Sequence, residues 1–292
     1  DLENASGNTA IGHQAAYNLR TQSYNTAVGS EALFTQSYAT GFSSYNVAVG
    51  YRSLFNNEPT ASTNGHQNTS IGGENMYFNT TGYGNTAIGY RVNYNNTATD
   101  HTISTFVGAN IIISTNRSNI NVLGYGVVNG QCTNNNQVLL GNTGIAQIRA
   151  QVTGITAYSD ARYKTNIAQN VAGLNFITKL NPVTYNVRPK ELHKIWGTPQ
   201  EEVDRIDHSE IEQIKQIGLI AQEVEVAARE VGFDFPGIDI PKNENETYSL
   251  RYTDFIMPLI QSVKEQQSQI ETLQQENQEL KILLQQILNK LN

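Results

Sequence analysis

In the first half of the chain, short apolar runs recur among Asn, Gly, Thr and Tyr. Asn8-Thr9-Ala10-Ile11-Gly12 returns as Asn25-Thr26-Ala27-Val28-Gly29, Asn46-Val47-Ala48-Val49-Gly50, Asn68-Thr69-Ser70-Ile71-Gly72 and Asn85-Thr86-Ala87-Ile88-Gly89. Degenerate copies end at Gly108, Gly124 and Gly141, and the aliphatic positions step by 16 to 22 residues. A fixed period this short holds one small β-type run closed by a glycine turn, which predicts a stacked β-solenoid or β-roll. Ala32-Leu33-Phe34, Ser53-Leu54-Phe55 and Asn75-Met76-Tyr77 supply a second apolar element for each rung to bury. One rung closes no core by itself, so stacking, and association between chains, must supply the rest.

The pattern changes at the other end. From Ile256 through Leu259, Val263, Gln266, Ile270, Leu273, Asn277, Leu280, Leu284 and Ile287 to Leu291 the steps alternate three and four. A period of 3.5 held over five heptads predicts a coiled coil, and Leu284 at a with Ile287 at d favours a trimer over a dimer. Between the two patterns the alternation in Ile145–Val152 predicts a final strand or neck. A short helix or turn is expected around Val171–Leu180, a strand over 181–187, a strand running into a helix over Ile217–Glu225, and a short strand over Tyr248–Tyr252. The charged stretch 197–216 reads as a surface excursion with a short helix near Ser209–Gln216. The resulting division is 1–145 for the array, 146–158 for the neck, 159–255 for a mixed α/β domain and 256–292 for the tail helix.

Charge narrows the function. Residues 1–150 hold five arginines, six acidic residues and no lysine, and the net charge is −7. Neither a nucleic-acid surface nor a polybasic membrane anchor fits that balance. No apolar run is long enough to span a membrane. The single cysteine, Cys132, allows no internal disulfide and reads as a small buried hydrophobe. The repeat is already running near Asp1, so we expect a piece of a longer protein. The five histidines show no metal-ligand spacing and no phosphate loop appears, so no metal and no cofactor are expected. Glu31, Glu58, Glu74 and Asp100 are too scattered for a carboxyl pair. Nine tyrosines between Tyr17 and Tyr94 could offer stacking faces to a glycan, but packing between rungs is the plainer expectation.

Candidate chemistry sits where the composition switches, in Ser159-Asp160-Ala161-Arg162-Tyr163-Lys164. A serine hydroxyl needs a base to take its proton, and a lysine kept neutral by burial can be that base. A Ser with Lys five residues on is common by chance, and its position at the junction singles it out. The plain alternative is a capping Ser159 and a solvated Lys164.

Two resemblances follow from these residues. The Asn-Thr-Ala-Ile/Val-Gly copies over about 4–145 resemble head repeats of trimeric autotransporter adhesins and of some phage tail fibres, which implies a trimeric parallel β-roll. Ser159-Asp160-x-Arg162-x-Lys164-x-x-Ile167, Gly218-Leu219-Ile220-Ala221-Gln222-Glu223-Val224-Glu225 and Tyr252 leading into the helix at Leu259 resemble the C-terminal intramolecular chaperone domain of endosialidases. The charged insert and the lack of a proline soon after Glu225 depart from that pattern. The resemblance implies a homotrimer that guides an upstream β-rich stalk into register. It also implies that the domain then cuts itself off between Tyr158 and Ser159, with Ser159 as nucleophile, Lys164 as base, and Asp160 and Arg162 in support at a desolvated site. The implied setting is a virion fibre or spike, or a bacterial surface. A permanent, uncut trimeric clamp on a fibre that binds a receptor or glycan is the alternative.

Overall fold

The computed structural model describes residues 5–36, 38, 40–94, 99–152 and 154–291. Two compact units emerge, residues 1–148 with 187–214, and residues 149–186 with 215–292.

The first unit is built on one parallel sheet of eight short strands in chain order: β1 (Thr9–Ile11), β2 (Thr26–Val28), β3 (Val47–Val49), β4 (Thr69–Ile71), β5 (Thr86–Tyr90), β6 (Thr105–Ala109), β7 (Asn121–Tyr125) and β8 (Val138–Leu140). The register follows the repeat residue for residue: Ala10 pairs with Ala27, Ala27 with Ala48, Ala48 with Ser70 and Ser70 with Ala87. Alternation then assigns the faces. The small residue of the second to fifth copies (Ala27, Ala48, Ser70 and Ala87) points into a core with Leu33, Leu54 and Met76, while the aliphatic residue after it points outward. Ile11 is 61% exposed and Leu123 56%.

Asparagine and glycine each form a column. The Asn8 side-chain oxygen accepts the N–H of Asn25 at 2.7 Å, and Asn25, Asn46 and Asn68 each do the same for the next copy at 3.0, 2.9 and 3.1 Å. Every copy thus satisfies a buried donor that the rung spacing leaves unpaired. At the far end of each run the glycines lie one above another. Gly29 has φ +131°, and a Cβ on it would sit 2.6 Å from the carbonyl oxygen of Gly50. Gly29→Ala meets both a glycine-only backbone angle and an immovable backbone neighbour, so it should destabilise the array by about 3 kcal/mol. Thermal unfolding checks this, and a change below about 0.5 kcal/mol would contradict the stacked-glycine account.

Two of the tyrosines join an aromatic stack that runs along the rungs. Tyr17, Phe34, Phe55 and Tyr77 lie in successive rungs with ring centroids 5.2, 4.9 and 4.9 Å apart and nearly parallel planes. Glu31 pairs with Arg52 at 2.6 Å and Glu74 with Arg91 at 2.5 Å, which makes them repeating surface positions. Asp100 accepts from the Thr80 and Thr81 hydroxyls at 2.7 and 2.6 Å. Cys132 is buried.

One expectation fails at the junction of the two units. Ile145–Val152 forms no strand: most of these residues are exposed and none is paired into the sheet. A further strand needs a sheet edge to pair with, and β8 offers this segment none. Thr153, inside the same junction, lies outside the described residues. The charged stretch holds the short helix expected near Ser209–Gln216 and is more ordered around it than a surface excursion. Residues 187–214 fold into α2 (Pro189–Ile195), α3 (Gln200–Val203) and α4 (Ser209–Gln213) and pack with the array.

The second unit surrounds Phe176, Phe235 and Phe255, whose ring centroids lie 4.7 to 6.4 Å apart. It comprises α1 (Leu174–Ile177), the antiparallel pair β9 (Val183–Tyr185) and β10 (Gln216–Gly218), α5 (Ala221–Glu230), the pair β11 (Ile238–Asp239) and β12 (Ser249–Leu250), and α6 (Ile256–Leu291). Helix α5 buries Val224, Ala227 and Ala228 at helical spacing. Helix α6 meets the domain with Pro258, Ser262 and Glu265, and the Glu265 carboxylate accepts the N–H of Leu174 at 2.7 Å, satisfying the start of α1. Further along the helix the heptad positions Ile270, Leu273, Leu280, Leu284 and Ile287 are all about half exposed or more.

Candidate active site

The junction segment is short of partners before it reaches Ser159. All described residues from 154 to 170 are exposed, and Tyr158, 94% exposed, contributes no packing. Order begins at Asp160. Its carboxylate oxygen accepts the N–H of Arg162 at 2.8 Å and starts a single 3₁₀ turn over Ala161–Tyr163, which closes with the Lys164 N–H on the Ala161 carbonyl at 3.1 Å. The Arg162 guanidinium folds back on the same carboxylate at 2.6 and 3.0 Å. That fork holds Asp160 below the usual carboxylate range, through the Arg162 side chain first and its N–H second.

The turn has one chemical consequence. It brings residues 159 and 164 to the same side, and Lys164 Nζ donates to Ser159 Oγ at 2.7 Å. The hydroxyl and the amine are thus within direct proton-transfer reach. Asp160 and Arg162 bind one another, so their part is to shape the turn that carries the pair. The expected desolvation is absent from the single chain, where both side chains face solvent.

The glycine-led motif at 218 is positional. A Cβ on Gly218 would overlap the Tyr252 hydroxyl and come within 3.1 Å of the Tyr185 ring, and Leu219 N–H donates to Tyr252 Oη at 2.9 Å. Tyr252 therefore ties the β10–α5 corner to the start of α6.

A cluster that spacing could not reveal lies where residues 187–214 meet the last rungs. Thr143 Oγ1 lies 2.7 Å from His193 Nε2 and 2.8 Å from His208 Nε2, and both rings are buried. The three residues are too far apart in sequence to form a motif. Trp196, the one tryptophan of the chain, covers Gly130, where any Cβ would overlap its ring. Among the described residues no group of His, Cys, Asp and Glu could hold a metal ion, and no helix is long and apolar enough to cross a membrane.

The chain is thus a parallel β-solenoid array followed by a small α/β domain with a serine–lysine turn and a long helix. Residues 159–233 match the family model Peptidase_S74, described as chaperone of endosialidase, and the match begins at the serine itself. The chain thus carries a chaperone domain of the endosialidase type. No curated protein and no solved structure matches the chain.

Proposed function

We propose that residues 159–292 form a homotrimeric intramolecular chaperone for the array and then separate from it by cutting the Tyr158–Ser159 bond. The observation that carries this reading is the 2.7 Å contact between Lys164 Nζ and Ser159 Oγ at the first residue of the family match. With Lys164 neutral, Ser159 Oγ attacks the Tyr158 carbonyl carbon and passes its proton to Lys164 Nζ. The C–N bond then breaks, Lys164 returns the proton to the Ser159 nitrogen, and Tyr158 is left as an ester on Ser159 Oγ. Water then opens the ester to a Tyr158 carboxylate and restores the Ser159 hydroxyl beside the amine freed in the first step. A neutral lysine needs burial, and the single chain offers none. Neighbouring copies in the trimer are the source of that burial, so cutting follows assembly.

Two unpartnered apolar surfaces support three-fold association. One is the outward aliphatic column from Ile11 through Ile71, Ile88 and Leu123 to Leu140, and the other is the α6 seam. Parallel pairing between residues 16 to 22 apart, repeated seven times along eight strands and matched between chains, is slow and exposes open edges while incomplete. A coiled coil that forms first aligns three chains and lowers that cost. Scission afterwards leaves a product held by its unfolding barrier. The destination this implies is a virion fibre or a bacterial surface, where the array can meet a receptor.

Refolding tests the chaperone role. Residues 1–158 diluted from denaturant alone should give mostly aggregate, and the full chain should give folded trimer in at least about tenfold higher yield. Equal yields from the two would remove the role.

A further inference from the structure

The buried histidine pair is a one-way hydrogen-bond chain. His208 Nδ1 has no hydrogen-bond partner among the described residues. A buried N–H without an acceptor is costlier than a bare lone pair, so the neutral ring carries its proton on Nε2 and donates to Thr143 Oγ1. Thr143 then donates to His193 Nε2, and His193 Nδ1–H donates to Thr198 Oγ1 at 3.2 Å. This arrangement has no place for a further proton. On His208 it lands on Nδ1, which faces no acceptor. On His193 it lands on Nε2, against the Thr143 hydroxyl proton. With both charged, two cations face each other with ring centroids 5.5 Å apart.

The surrounding charges do not offset this. From the helical segment, Lys190 opposes a charged His208, while Asp207 and Glu212 favour it. Arg205 is engaged with Glu201 and Glu202. From the array side, residues 118–148 hold no charged side chain. Burial is the leading cause that keeps both rings below the ordinary histidine value of 6.5.

We propose that Thr143, His193 and His208 form an acid-released catch, which holds residues 187–214 on the last rungs at neutral pH and frees them on acidification. This rests on the proposed function for its purpose, since the catch would retain the chaperone on its product after the cut. The catch itself acts in the uncut chain. The sign follows from linkage. A group whose value is lower docked than undocked stabilises docking at high pH, and that contribution fades as pH falls below 6.5. Two protons are taken up on release, so the docked-to-free ratio should fall by up to about a hundredfold per pH unit, and by about tenfold with one histidine replaced.

Trp196 reports the docking, because its ring lies on Gly130. In the uncut Ser159→Ala chain, the tryptophan emission maximum should move to the red between about pH 7 and pH 5, a window spanning the free histidine value. His193→Gln with His208→Gln should show no such shift. No shift in the parent, or the same shift in the double variant, overturns the catch. If the double variant is already undocked at neutral pH, NMR titration of the parent decides. Both rings titrating below 6.5 together with the emission change sustain the proposal, and an ordinary value for both rejects it. Neither result depends on whether the unsubstituted chain cleaves.

Discussion

With Leu273 and Leu280 both replaced by lysine, the chain is expected to run as a monomer, to fold its array poorly and to stay whole. Both residues sit on the exposed heptad face of α6, away from the Pro258, Ser262 and Glu265 contacts that attach the helix to its own domain. The substitutions should therefore leave the Phe176 core intact. Burying a leucine contributes about 1.5–3 kcal/mol, and the double change removes six such side chains per trimer while placing six like charges at the seam. Sedimentation against intact mass gives the readout. A monomer that still cuts would show that the Ser159–Lys164 pair needs no assembly.

Ser159→Ala and Lys164→Ala should each slow scission by about a thousandfold or more, as loss of a nucleophile or its base does. Lys164→Arg is the sharper probe. An arginine can keep the cation and donate to Ser159 Oγ, but it does not lose its proton, so it cannot accept one from the hydroxyl. It should be as inactive as alanine. If the arginine variant cuts at the rate of the unsubstituted chain, Lys164 is only a hydrogen-bond donor and the base lies elsewhere. Arg162→Ala leaves the pair in place but frees Asp160, so its effect should be smaller.

Much of this architecture was legible because repetition makes register visible. Once Asn8, Asn25, Asn46, Asn68 and Asn85 align, the pairing of Ala10 with Ala27 and of Ile11 with Val28 follows. The direction of the faces was less evident. Composition alone suggests burying isoleucine, yet in the early copies alanine or serine lies inside, and the same position holds Phe106 and Val122 further along the stack. The left-handed turns at Leu33, Leu54 and Met76 were also hidden, since such angles are ordinarily read from glycine. The tail helix announced itself by period, whereas the strand foreseen over Ile145–Val152 had alternation but no partner edge. The docking of residues 187–214 arises from Thr143, His193, Trp196 and His208, which only tertiary packing brings together. The serine–lysine pair was a chance-level motif by spacing, and the resemblance gave it meaning.

The most direct measurement of the central claim is the intact mass, under denaturing conditions, of the freshly expressed full chain. Two species that separate between Tyr158 and Ser159, with the larger fragment mass read as residues 1–158, are the result expected. A single species of whole-chain mass from trimeric, folded protein would contradict self-cleavage and leave a permanent trimeric clamp.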